Sequence, residues 1–126
     1  MTKIHFPATE RSPLVEFDLE ARRFRIEGES YPEDVEVFYG PVVEALRRFV
    51  DAGGGGPLEA DMHLTYVNSS SIKALAIILA GLDDAAESGA SVTVRWRHDA
   101  DDDTMQEFGE ECARRMKHLN FLVQAC

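Results

Sequence analysis

The sequence predicts an α/β fold in which a mixed β-sheet carries packed helices, in the order β-β-α-β-α-β-α-β. Three observations predict it. Two short stretches near the start alternate apolar and polar residues with period two. Three later stretches repeat apolar residues at steps of three and four, as amphipathic helices do. Further strand-like stretches separate and follow those helices, so a hairpin is succeeded by strand-helix-strand crossovers, which requires antiparallel and parallel pairs in one sheet. The 126 residues are read as a single domain over 1–126, and a chain of that size buries roughly two thirds of the surface it exposes when unfolded.

Residues 1–13 hold Pro7 and Pro13 with no sustained period, and read as an irregular arm or a short edge segment. The stretches 14–18 and 24–27 form a hairpin around the polar connection 19–23, and Gly28-Glu29 is expected to break the second strand. In Ser30-Tyr31-Pro32-Glu33, Ser30 is expected to cap a helix, Glu33 to bond back to it, and Pro32 to give up an N–H that has no partner anyway. That helix is predicted to reach about residue 52, with Val35, Phe38, Val42, Leu46, Phe49 and Val50 facing the sheet. The glycines at 53–56 and Pro57 end it; the Lys-Ser/Thr of a nucleotide-binding loop is missing.

A strand over 58–67 follows, in which Leu58, Ala60, Met62, Leu64 and Tyr66 point one way and Glu59, Asp61, His63 and Thr65 the other. A helix over about 70–88 turns Ile72, Leu75, Ile78, Leu79 and Leu82 inward, and Gly89 closes it. The strand 91–97 buries Val92, Val94 and Trp96. The acidic loop 98–103 leads into a helix to about residue 116, with Asp103 and Gln106 as a capping box and Met105, Phe108 and Cys112 inward. A short strand over 121–125 completes the order.

Charge narrows the partners. With 23 acidic and 13 basic residues the net charge is −10, which repels phosphate backbones and anionic head groups; neither nucleic acid nor membrane is an expected partner. The longest apolar run, 74–82, is too short to span a bilayer, and the amino-terminal residues lack the apolar core of a signal peptide, so a cytoplasmic location is expected. Cys112 and Cys126 do not suggest a disulfide framework; Cys112 reads as a small core residue.

Three patterns imitate chemistry. Ser70-Ser71-Ile72-Lys73 fits the Ser-x-x-Lys of penicillin-binding nucleophiles, but the companion Ser-Asp-Asn and Lys-Thr-Gly are missing. Asp99, Asp101, Asp103, Glu107 and Glu110 stand at calcium-loop positions, yet Thr104 occupies the place that needs glycine and a strand leads in. His63 has no second His or Cys at a ligand spacing and reads as a solvated strand residue. No enzyme, metal or cofactor is expected.

What remains is the corner Tyr66-Val67-Asn68-Ser69-Ser70-Ser71-Ile72-Lys73, where the strand pattern stops, small hydrogen-bonding residues intervene and a helical pattern starts. A helix start presents unpaired N–H groups and partial positive charge, which favour an anion such as a phosphate on a serine. Tyr66, Asn68, Ser69, Ser70, Ser71 and Lys73 are the candidate partner-binding residues, and whichever serine caps the helix has its oxygen partly occupied.

With Ser30-Tyr31-Pro32-Glu33, this corner extended to Ala74, and Arg95-Trp96 before a polar loop, the chain resembles the SiaC family of regulatory phosphoproteins over roughly residues 5 to 125. The resemblance implies a STAS-like fold and a partner-switching adaptor. A dedicated kinase phosphorylates the corner, a PP2C-type phosphatase reverses this, and the unmodified form binds a target such as a diguanylate cyclase. The family's phosphothreonine follows the Asn and falls on Ser69; the more distant STAS pattern Asp-Ser-Ser-Gly aligns with Asn68-Ser69-Ser70-Ser71 and points to Ser70. Ser69 is taken first and Ser70 second. The alternative is a STAS-type anti-sigma factor antagonist, or a small-ligand or metal-sensing domain, without phosphorylation at this corner.

Overall fold

Strands that follow one another in the sequence are neighbours throughout the sheet. The computed structural model describes residues 3–126, and the elements are β1 (Lys3–Phe6), β2 (Leu14–Asp18), β3 (Arg23–Ser30), α1 (Val35–Asp51), β4 (Gly56–Val67), α2 (Ser69–Glu87), β5 (Ala90–His98), α3 (Asp103–Arg115) and β6 (Asn120–Ala125). The strands form one sheet of order β1-β2-β3-β4-β5-β6. β1 to β3 pair antiparallel and β3 to β6 pair parallel.

Each parallel neighbour is reached through one helix, and crossovers of one hand that step in one direction put their helices on one face of the sheet. Burial follows that geometry. Leu58, Ala60, Met62 and Leu64 of β4 and Val92, Val94 and Trp96 of β5 lie under the helices. The opposite face carries ion pairs between strands: Arg25 with Glu16 at 3.3 Å, Arg97 with Asp61 at 3.1 Å, and Arg95 with Glu59. One face is core and the other is charged.

Trp96 shows how closely α3 is seated. Its ring is fully buried, stacks on Phe108 with centroids 5.2 Å apart, and donates its Nε1–H to the Met105 carbonyl at 3.0 Å. A Cβ at Gly109 would run into this ring, so only glycine lets the helix approach the tryptophan so closely.

Several local expectations are corrected by pairing that sequence periodicity does not report. The arm expected over 1–13 contains an edge strand: Lys3–Phe6 pairs with β2, which adds one strand to the predicted order, while residues 1 and 2 lie outside the described residues. Gly28 does not end its strand; it sits in β3 at φ 124°, which a glycine tolerates, and the pairing with β4 shifts register between Gly28 and Glu29. Ser30 therefore belongs to β3, and α1 is capped by Asp34, whose side chain accepts from the Val37 N–H at 3.1 Å. Tyr39, which the predicted inward stripe omitted, is one of the buried residues of α1. At α3 the cap is Asp102, one residue before the predicted Asp103.

Candidate functional site at the strand-to-helix corner

Asn68 stands between β4 and α2 in extended backbone, φ −81° and ψ 171°. Its side-chain oxygen accepts from the Ser71 N–H at 2.9 Å, its carbonyl accepts from the Ile72 N–H at 3.0 Å, and its own N–H donates to the Ser30 carbonyl at 3.1 Å. The asparagine, rather than a serine, is the cap. The serines are thereby freed from the role assigned to one of them.

Ser69, Ser70 and Ser71 occupy the first three helical positions and meet different surroundings, because successive residues of a helix are turned by about 100°. Ser71 is fully buried. The Ser30 hydroxyl donates to its Oγ at 2.9 Å and lies 2.6 Å from the Tyr39 hydroxyl, so Tyr39 supplies the proton of that second bond. These hydroxyls fasten the end of β3, the start of α2 and the second turn of α1 to one another. Burial pushes the Tyr39 phenol up to about 12, partly offset by its bond to Ser30. Ser71 is thus a structural member of the corner, out of reach of a partner on the intact fold.

Ser69 and Ser70 are exposed, and among the described residues neither hydroxyl has a protein partner. Lys73, one turn further on, is exposed and makes no ion pair among the described residues. It stands four residues from Ser69 and three from Ser70, the spacings that bring side chains together on a helix. The first turn of α2 contains no acidic residue, whereas α1 has Glu36 and α3 has Asp103 there.

Tyr66, expected to point inward, is 51% exposed. The cause is the register shift: Gly28 pairs with Leu64 but Glu29 pairs with Tyr66, so β4 holds one extra residue and its alternation flips. Val67 then packs against the core and Tyr66 turns out, edge-on to Tyr31 with ring centroids 5.7 Å apart. Ile72, also expected inside, is 38% exposed.

Beside the corner, α1 and α2 leave a cleft of about 760 Å³ whose walls include Tyr39, Asn68, Ser70, Lys73 and Ile77. Of the residues expected at the corner, Tyr66, Ser69, Ser70 and Lys73 are exposed, Asn68 is half-buried and Ser71 is buried; Tyr39, which joins the corner through Ser30, was not among them. Tyr39 was findable, since it lies four residues after Val35 and three before Val42 on the apolar stripe.

Fold and corner together define a mixed α/β domain that offers exposed hydroxyls at a capped helix start. The model of the SiaC family regulatory phosphoproteins matches residues 6–126. An uncharacterised protein of Pseudomonas aeruginosa strain UCBPP-PA14 is 39% identical over 125 residues, which cover 99% of this chain and 98% of that one. The solved structure of SiaC of Pseudomonas aeruginosa matches with a TM-score of 0.89 at 36% identity, over 100% of both chains. A structure of the diguanylate cyclase SiaD in complex with its activator SiaC, from the same organism, matches with a TM-score of 0.89 at 36% identity, over 98% of this chain and 99% of that chain. The chain belongs to the SiaC family of regulatory phosphoproteins.

Proposed function

We propose that this chain acts as one non-enzymatic domain, a partner-switching adaptor whose unmodified form binds and regulates a diguanylate cyclase, and which a dedicated kinase disables by phosphorylating Ser69. A PP2C-type phosphatase restores it. The observation that carries the reading is the Asn68 cap, which takes the Ser71 N–H and leaves the Ser69 hydroxyl exposed and, among the described residues, unbonded. The named pairing of SiaC, as activator, with a diguanylate cyclase supports the choice of target.

A phosphate on Ser69 adds about −1.5 to −2 charge at a site that favours an anion, with Lys73 four residues on as its cation. The fold tolerates it. A partner seated over Tyr66 and the corner meets a bulky dianion instead of a small hydroxyl, and loses affinity. Ser70, on the wall of the α1–α2 cleft, is the second acceptor.

The test is calorimetric titration of a diguanylate cyclase of this kind with wild type, Ser69→Ala and Ser69→Asp. Ser69→Ala should bind as wild type does, and Ser69→Asp at least about tenfold more weakly, which is about 1.4 kcal/mol. Equal affinity of all three overturns the proposal. Peptide mapping after kinase treatment separates the serines, since Ser69→Ala should abolish the phosphate and Ser70→Ala should retain it.

A further inference from the structure

Three residues far apart in the chain meet on the charged face of the sheet, where the carboxyl ends of the parallel strands β5 and β6 come beside the middle of β4. His63 lies on β4, Asp99 directly follows β5 and Cys126 directly follows β6. His63 Nε2 is 3.0 Å from Asp99 Oδ1 and 3.7 Å from the Cys126 sulfur, and the three donor atoms lie within 4.8 Å of one another. From the geometry we infer that these residues form a binding site for a zinc-class divalent cation, separate from the serine corner.

The distances suit one ion. Ligands at about 2.0 Å for nitrogen and oxygen and 2.3 Å for sulfur around a tetrahedral centre stand about 3.3 to 3.6 Å apart. Reaching that spacing takes a turn of the Cys126 side chain inward and a parting of His63 Nε2 and Asp99 Oδ1 by a few tenths of an ångström from 3.0 Å. Imidazole, thiolate and carboxylate together select a borderline ion of the zinc or cobalt type over calcium or magnesium, which take oxygen ligands. Charge balances as well, because a neutral imidazole, a thiolate and a carboxylate leave a divalent ion neutral. Binding releases the thiol proton, which Cys126 otherwise directs at the His98 carbonyl at 3.3 Å.

The backbone holds the ligands in place beforehand. The Cys126 N–H donates to the His98 carbonyl at 2.9 Å, so the end of β6 is pinned beside the residue that precedes Asp99. The neighbouring Arg97 is engaged with Asp61 at 3.1 Å. His98, though adjacent in sequence, is buried, only 3% exposed, and is not part of the site. The trio is open to solvent, with side-chain exposures of 28% for His63 and 51% for Asp99, so the remaining coordination positions fall to water. Chain spacing conceals the site: His63 and Cys126 are 63 residues apart.

The test is titration of the full chain with Co(II), followed by competition with Zn(II). One equivalent should give tetrahedral ligand-field bands in the visible and a thiolate-to-cobalt charge-transfer band in the near ultraviolet, both erased by Zn(II). Cys126→Ser should abolish the charge-transfer band, His63→Ala and His63→Gln should each weaken binding at least tenfold, and Cys112→Ser should change nothing. Circular dichroism confirms that each variant is folded. A wild-type spectrum without the charge-transfer band, or a band that survives in Cys126→Ser, overturns the site.

Discussion

At the start of α3 the Asp102 carboxylate accepts from the Met105 N–H at 3.1 Å and Asp103 adds a second negative charge; at the start of α2 the Asn68 amide accepts from the Ser71 N–H at 2.9 Å and no acidic residue follows in the first turn. The hydrogen bonds are the same and the electrostatics are not. α1 resembles α3, with Asp34 as cap and Glu36 in the first turn. In a chain with 23 acidic residues, the helix start that lacks one is the serine corner. Permanent carboxylates complement the dipoles of α1 and α3, whereas α2 leaves that position for the phosphate proposed at Ser69.

The sharpest way to break this comparison is to place a carboxylate on the wrong side of the corner. Ser71→Asp puts a charge where the serine is fully buried, against Ser30, and should cost at least about 3 kcal/mol in urea unfolding. A loss no larger than that of an exposed substitution would mean that the hydroxyl cluster is not closed to water.

Removing the two caps comes next. Asn68→Ala and Asp102→Ala should each lower stability by about 1 kcal/mol. They should part company in salt: at about 1 M the ionic share of the Asp102 effect is screened, while the neutral Asn68 effect is unchanged. Chemical denaturation with urea, which is uncharged, at two salt concentrations reads the difference.

Tyr39→Phe removes one hydroxyl from the cluster and should cost about 1 kcal/mol. Its wild-type counterpart is visible in a spectrophotometric titration, where one of the three tyrosines should ionise at about 12, a step missing in Tyr39→Phe. The sign follows from the raised value. The unfolded chain ionises this phenol near the usual value of about 10, so its contribution to stability is intact below that pH and is lost between there and about 12.

The smallest effect is the most telling for the proposed switch. Ser69→Asp should raise stability by about 0.3 to 1 kcal/mol and Asp103→Asn should lower it by a similar amount, since both alter one charge in a first helical turn. A Ser69→Asp that destabilises would show that the corner does not welcome an anion.

Much of this was legible along the chain. The change from period two to steps of three and four located the corner to within a residue or two, and the exposed pair Ser69 and Ser70 lay inside it. The assignment of roles was less legible. A serine followed two residues later by proline reads as a helix cap, and only the pairing of β3 with β4 carries Ser30 past that role to Ser71, 41 residues away. Tyr66 obeyed the alternation that predicted it inward until one extra residue in β4 reversed the parity. The edge strand Lys3–Phe6 has too few residues for its period to be distinguished, and is made by the hydrogen bonds of β2.

The sequence by itself determined the element order apart from the edge strand β1, the buried stripe of each helix in outline, and the place where exposed hydroxyls meet a helix start, because these rest on local periodicity and on the chemistry of adjacent residues. Tertiary structure decided which serine is buried, which residue caps α2, which way Tyr66 faces, and that His63 meets Cys126. Those depend on register and on contacts between residues remote in the chain, and no local pattern carries them.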